Sequence, residues 1–382
     1  MRIENFFYAE KDGWSIEGFP KLDSKNSVVF AFGSPYLRDD PGPVMELLRA
    51  YPQARVMGCS TAGEIFGTGI KDQSLSVAVA QFERTGLAFT SARAKASADS
   101  YKVGLQIARK LLKPDLRALF VLSNGTTING SELVRGLNEV LPEDVVVTGG
   151  LAGDGDRFEQ TWVIDKGKLE SNAVSAVGFY GDHIAVGHGS KGGWDVFGPQ
   201  RRVTHSESNV LYELDGKPAL DLYKEYLGDL ASELPSSALL FPLSLRENPD
   251  DERNLVRTIL GVSEQEKSLT FAGDIPAGSY AQLMKANFER LIGGASEAAQ
   301  MIAPRNGHSE EEALSIAISC VGRRLVLGEH SEEELEAALD VLPPGVRQVG
   351  FYSYGEISPY TTGECDLHNQ TMTLTLFQEL PA

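Results

Sequence analysis

The chain has 382 residues, 42% of them hydrophobic and 23% charged, with a formal charge of −18. That length exceeds one ordinary core, the apolar share excludes a disordered bulk, and the acidic balance excludes nucleic acid and anionic membrane as partners unless a local basic patch intervenes. Three widely spaced cysteines, Cys59, Cys320 and Cys365, form neither a disulfide framework nor a C-x-x-C motif, which points to a reducing cytoplasm.

In chain order, Ser27–Gly33 (SVVFAFG) reads as a buried strand and Pro41–Ala50 as a short helix. Ala54–Met57 is a strand running into GCSTAGE. Leu75–Phe82 alternates apolar and small residues as a strand does, with Gly86–Ala92 expected as its hairpin partner. The pattern then restarts. Asp99–Leu112 places Val103, Ile107 and Leu111 at helical spacing and stops before Pro114. Arg117–Leu122 is a strand, Asn129–Leu141 a helix, and Asp144–Thr148 a strand entering GGLAGD. Thr161–Ile164, Ala173–Tyr180 and His183–Gly189 follow as strands.

From Ser190 to Ala299 the rhythm changes. Arg201–Leu214 reads as a strand pair ending at the Asp215–Gly216 turn, and Pro218–Leu227 as a helix. Leu255–Val262, Ser268–Phe271 and Ser279–Lys285 read as strands of a meander, and a helix follows over Leu291–Ala303. A third round begins at Ala313, with a strand over Leu314–Val321 and a helix over Ser331–Leu342. Ser331 and Glu334 have the spacing of a capping box. Val346–Gly350 is the strand entering GFYSYGE, and Thr371–Phe377 closes the round. No stretch is apolar for the roughly eighteen residues a membrane span needs, and the N-terminus has no apolar signal core.

Three glycine-rich turns therefore echo one another, Gly58–Glu64, Gly149–Asp154 and Gly350–Glu356, each after a strand and each ending in an acid. The expected fold class is a mixed, layered α/β protein with largely antiparallel sheets and strand-helix-strand-turn-strand repeats. Two packed halves are expected, residues 1–190 and 191–382, divided at the glycine-rich run Gly187–Gly193, with a ligand cleft at their junction.

Five stretches in order carry a family likeness: GCSTAGEI at 58–65, TGGLAGDG at 148–155, LDGKPALDLYKEYLG at 214–228, FAGDIPAGSYAQLMKAN at 271–287 and GFYSYGEISP at 350–359. Together they resemble the FIST sensory proteins, with an N-terminal FIST domain over 1–190 and a C-terminal one over 191–382. The resemblance implies input sensing in bacterial and archaeal signal transduction, beside histidine kinases, cyclic-dinucleotide enzymes or chemotaxis receptors. It implies small ligands such as amino acids for some members and haem-based nitric-oxide sensing for others. With no kinase core or output module in the chain, such a sensor is expected to act by contact with a separate partner.

The residues themselves nominate a ligand site around GFYSYGE. Glu64 and Glu356 end equivalent turns, where their carboxylates either accept from a ligand ammonium or cap backbone N–H groups of the turn. Asp154 is the third acid of the echo. Tyr352 and Tyr354 offer aromatic walls with hydroxyl handles, and Asn369 an amide suited to a carboxylate or amide ligand. Cys59 follows a strand, but G-x-S-x-G is absent, so it is read as lining a pocket and not as a nucleophile. The Asn124–Thr127 turn precedes a helix and could receive an anion. A haem would need an axial ligand, for which His368, His205 and His188 are the candidates; His183, His308 and His330 read as loop or helix-flank residues. No zinc spacing is present. The expected function is a cytoplasmic, non-enzymatic small-ligand sensor, with a haem sensor or an enzyme using Glu64, Glu356 or Asp154 as the alternatives.

Overall fold

The structure, a computed structural model, describes residues 1–251, 254–302, 312–360 and 363–380. His308 lies outside the described residues. Three rounds of one strand plan account for most of the chain. The first comprises β1 (Arg2–Ala9), β2 (Ser27–Gly33), α1 (Gly42–Ala50), β3 (Arg55–Ser60), the short β4 (Glu64–Phe66) and β5 (Ser74–Gln81). The second comprises β6 (Gly86–Arg93), α2 (Ser100–Leu111), β7 (Leu116–Ser123), α3 (Gly130–Asn138), β8 (Val146–Leu151), the short β9 (Val163–Asp165) and β10 (Ala173–Tyr180).

The third opens earlier than its sequence pattern suggests, at β11 (Ile184–Lys191), and is interrupted by the meander. That insertion contains β12 (Arg201–Glu207), β13 (Val210–Leu214), α4 (Ala219–Leu227), β14 (Leu243–Arg246), β15 (Leu255–Arg257), β16 (Ile259–Ser263), β17 (Ser268–Phe271) and β18 (Tyr280–Lys285). The round resumes with α5 (Phe288–Ile302), β19 (Ala313–Cys320), α6 (Val321–Leu327), α7 (Ser331–Leu339) and β20 (Arg347–Ser353). It ends with the short β21 (Gly355–Pro359), β22 (Cys365–His368) and β23 (Met372–Glu379).

The strand orders are the same in all three rounds: β3-β2-β5-β1, β8-β7-β10-β6 and β20-β19-β23-β11. In each, the two strands joined through a helix pair in parallel and the others antiparallel. A parallel pair needs a crossover, and the helices supply it. The short strand after each acid-ended turn leaves its own sheet. β4 pairs β20 of the third sheet, β9 pairs β3 of the first, and β21 pairs β8 of the second. Strand exchange thus runs round the molecule in one direction and locks the three sheets together.

The period of two along each strand explains the core. In β2, Val28, Phe30 and Phe32 face inward while Val29 and Ala31 face the helix layer. Phe30, Phe120 and Phe377, one from each sheet, meet at 5.2 to 6.1 Å between ring centroids. The first glycine of each echo has one shared reason. A Cβ on Gly58, Gly149 or Gly350 would lie 2.1, 1.9 or 1.8 Å from the carbonyl oxygen of Ala31, Val121 or Ala317 on the parallel neighbour. Only glycine permits that approach.

Two local expectations change. β6 is not the hairpin partner of β5: both edges of β5 are taken by β2 and β1, so β6 starts the second sheet on β10. Ser331 and Glu334 form no capping box. The Ser331 hydroxyl donates to the Gly328 carbonyl at 2.7 Å, and the Glu334 carboxylate turns inward onto Arg323, Ser319 and Tyr352.

Candidate functional site

The three acid-ended turns meet in one backbone ring. Ala62 N–H donates to the Tyr352 carbonyl (2.8 Å), Gly153 N–H to the Ser60 carbonyl (3.0 Å) and Tyr354 N–H to the Leu151 carbonyl (3.2 Å). Each turn therefore holds another at an equivalent position. Around this ring the carboxylates are fully enclosed. Glu64 accepts from the Thr61 hydroxyl and from the Ser74 N–H (3.0 Å) and hydroxyl (2.8 Å). Glu356 accepts from the Ser353 hydroxyl (2.5 Å) and from the Thr371 N–H (3.3 Å) and hydroxyl (2.9 Å). The two sets are the same arrangement in two rounds. Burial pushes both carboxyls up to about 8 against those hydrogen bonds. Asp154 is held differently, by the N–H groups of Phe158, Glu159 and Gln160 and by the Tyr354 hydroxyl.

The structure brings some of the nominated residues together and separates others. Tyr354 reaches Asp154 and stacks on Phe158 at 4.3 Å, and Asn369 Nδ2 donates to the Tyr354 carbonyl at 3.4 Å. The Asn369 Oδ1, and both polar atoms of the neighbouring Gln370 side chain, are buried without a hydrogen-bond partner among the described residues. Tyr352 points the other way, its hydroxyl donating to Glu334 at 2.8 Å. Glu334 forms a fully buried ion pair with Arg323 at 2.7 Å. Cys59 lies in the apolar interior between the sheets, where burial pushes its thiol up. The Asn124–Thr127 turn is closed by its own Asn124 Oδ1, which accepts from the Thr126 and Thr127 N–H groups.

The three histidines nominated for haem lie apart. His368 Nε2 is 2.9 Å from the Ser358 carbonyl, His205 is exposed and stacked on Tyr212, and His188 projects from β11 with its Nδ1 buried and without a hydrogen-bond partner among the described residues. None of the three is among the residues that line the cleft at the meander or its second lobe. Among the described residues, no group of three or more His, Cys, Asp or Glu side chains is placed to hold a metal ion.

A concave site lies where the second round meets the inserted meander. A cleft of about 520 Å³ opens between Ser131 on α3, the ends of β14 and β15, and the loop Asp274–Ser279. A second lobe of about 500 Å³ continues along α3 past Asn138 to Asp366. Arg257 stands between the lobes and lines both, at 4% exposure. Its Nε donates to the Asp274 carbonyl (3.1 Å) and its Nη1 to the carbonyls of Val256 (3.3 Å) and Leu367 (2.9 Å). Among the described residues no carboxylate is within ion-pair distance of it. Burial draws the guanidinium down to about 10, opposed by the charges of Asp366 and Asp274, so it remains a cation at neutral pH.

Sequence supplies the other parts of this wall. A Cβ on Gly273 would fall 2.9 Å from Arg257 Nε, so glycine is what lets the loop lie flat on the guanidinium. Asn129 caps α3 through the Glu132 N–H (3.1 Å) and donates to the Asp274 carboxylate at 3.0 Å, tying helix to loop. Arg246 also lines the cleft, with a buried Nε that has no hydrogen-bond partner among the described residues. Neither arginine stood out in sequence. A charge at an alternating position of a strand, three residues after Asn254 and sixteen before Gly273, has no local signature.

Two family models in tandem place the chain in a class of sensory-type domains. The FIST N domain model matches residues 27–217 and the FIST C domain model residues 219–359. The chain belongs to the FIST family, whose domains are of a sensory type. An uncharacterized protein of Methanocaldococcus jannaschii is 25% identical over 393 residues, covering 91% of this chain and 73% of that protein. A crystal structure of cyanuric acid hydrolase from A. caulinodans aligns with 100% of this chain and 99% of its own, at 8% identity and a TM-score of 0.40. That likeness is too loose to carry an activity across. Among the described residues no helix is long and apolar enough to cross a membrane.

Proposed function

We propose that this protein is a non-enzymatic sensor that takes a small polar molecule bearing both a carboxylate and an ammonium group in the cleft between α3 and the meander. The observation that carries this reading is Arg257, a buried cation that faces both lobes and is held by carbonyls instead of a carboxylate. A ligand carboxylate would give Arg257 and Arg246 the direct ion pair that neither has among the described residues, and the acids Asp251, Asp274 and Asp366 around the same cleft add negative charge that suits an ammonium. Residues matched by the FIST N model form one wall and residues matched by the FIST C model the other. A ligand bridging them tightens their junction, and that is the change a partner such as a histidine kinase or a cyclic-dinucleotide enzyme reads.

In this reading Glu64, Glu356, Asp154, Tyr352, Tyr354, Asn369 and Cys59 set the frame behind the cleft wall, with Leu367 of β22 as the link to Arg257. Thermal shift and calorimetry with the twenty amino acids and a set of dicarboxylates test it. A ligand at a hundred times its Kd should add about 2.7 kcal/mol of stability. Arg246→Gln should weaken that ligand at least tenfold and leave the unliganded melting temperature in place. A ligand whose affinity is untouched by Arg246→Gln and Arg257→Lys would remove the cleft from the reading.

A further inference from the structure

The cleft at Arg257 runs between the outermost strands of two sheets. Among the described residues β15, the last strand of the meander sheet, pairs only with β14, and β22, the last strand of the second sheet, pairs only with β21. The outer side of such a strand is a row of backbone donors and acceptors with no neighbouring strand to answer them. On β22 two of those acceptors are answered by side chains instead. The Cys365 carbonyl accepts from Asn138 Nδ2 at 2.8 Å and the Leu367 carbonyl from Arg257 Nη1 at 2.9 Å. Carbonyls two residues apart point to the same side of a strand and lie about 7 Å apart. Asn138 and Arg257, which both line the second lobe, therefore stand where two successive donors of an adjoining strand would.

Beyond that shared edge the two lobes differ. The first holds Arg246 together with the apolar side chains of Leu245, Leu255 and Pro276. Of its acids besides the shared Asp366, Asp251 accepts from the Asn248 N–H at 2.7 Å, Asp274 from Asn129 Nδ2 at 3.0 Å and the Ser208 hydroxyl at 3.1 Å, and Glu247 is exposed. The second lobe holds Glu139, Glu364 and Asp366 against Arg135. That arginine is already bonded to Glu132 at 2.6 Å and lies over the Tyr101 ring. A carboxylate suits the first lobe and an ammonium the second, on opposite sides of Arg257.

Resting on the reading of this cleft as the ligand site, we propose that its ligand is a short peptide of about three residues that adds to β22 as an extended strand, with its C-terminal carboxylate at Arg246 and its N-terminal ammonium in the second lobe. Its N–H groups at alternate residues replace Asn138 and Arg257 on the Cys365 and Leu367 carbonyls, and the released Arg257 turns to the peptide's own oxygens. Two carbonyls at strand pitch need donors two residues apart, which sets the length. A free amino acid has one nitrogen and reaches only one of them. It also leaves most of the two lobes, of about 520 and 500 Å³, unfilled. Leu245, Leu255 and Pro276 around the carboxylate end favour an apolar side chain on the last residue.

The test is calorimetric titration of the full chain with the tripeptide Ala-Ala-Leu, its C-terminal amide, its N-acetyl form, the same peptide methylated on the leucine nitrogen, and free leucine. Ala-Ala-Leu should bind at least tenfold tighter than leucine. Amidation, acetylation and N-methylation should each weaken it about tenfold, the first two by removing a charge and the third by removing one strand donor. Arg246→Gln should weaken Ala-Ala-Leu at least tenfold and erase the difference between the acid and its amide. Leucine binding as tightly as the tripeptide, or an amino acid or dicarboxylate binding in an Arg246-dependent way while millimolar Ala-Ala-Leu does not bind, would overturn the peptide and keep the cleft as the ligand site. Equal affinity for the N-methylated peptide would overturn the addition to β22. Binding by none of the peptides, amino acids or dicarboxylates would remove the cleft reading and the peptide with it.

Discussion

The ring of acid-ended turns and the cleft at Arg257 are built from similar materials and do opposite things with them. In the ring, every carboxylate is answered from within the fold: Glu64 by Thr61 and Ser74, Glu356 by Ser353 and Thr371, Asp154 by three N–H groups and Tyr354. In the cleft, among the described residues, Arg257 is held only by carbonyls and Arg246 Nε has no hydrogen-bond partner, so neither charge is answered by a direct ion pair. A buried polar group with all its partners rigidifies, and one without them at a cavity edge is available to a ligand. The contrast separates framework from site without reference to which residues look chemical.

Four experiments can break or sharpen that contrast. The largest effect is expected at the buried ion pair beneath the ring. Glu334→Gln leaves Arg323 charged and unpaired in the interior and should cost about 3–5 kcal/mol in denaturant unfolding. Gly350→Ala should follow closely, at about 3 kcal/mol, because its Cβ meets the Ala317 carbonyl at 1.8 Å and the strands must part.

The third effect is a pH dependence. Both Glu64 and Glu356 are raised to about 8 in the folded chain, above the ordinary 4.5, so the folded state holds the extra protons between those values. Stability is therefore greatest below about pH 4.5 from this source and declines as pH rises through 8, by several kcal/mol for the pair. The double variant Glu64→Gln/Glu356→Gln should flatten the decline, and an unchanged slope would assign it to other groups. The smallest effect on stability belongs to the cleft: Arg246→Gln should shift unfolding by less than about 0.5 kcal/mol while abolishing most of the ligand-induced gain. A loss of several kcal/mol there would make Arg246 part of the framework, and the contrast would fail.

Legibility differed by element for physical reasons. Strands buried on both faces, such as SVVFAFG, are unmistakable because neither face tolerates a polar residue. β1 (RIENFFYA) was unread because it is an edge-side strand whose outer positions carry charge. The meander's strands were visible, yet its insertion inside the third round was not, because nothing local says that β11 belongs with β23 rather than with β10. Within the site regions, the turns announced themselves through glycine and acid. Arg257 did not, because its significance rests on Leu367, more than a hundred residues away.

The sequence by itself determined the repeat, the strand and helix phases and the three glycines of the turns, since each depends on sterics and burial within a few residues or across one strand pair. Only the tertiary structure decided which sheet each short strand joins, that Glu64 and Glu356 are satisfied by hydroxyls of their own rounds and Asp154 by backbone N–H groups and the Tyr354 hydroxyl of the third, and that two arginines of the meander line a cleft shared with α3. Those outcomes depend on contacts between distant segments, where a side chain's partners are set by packing and not by its neighbours in the chain.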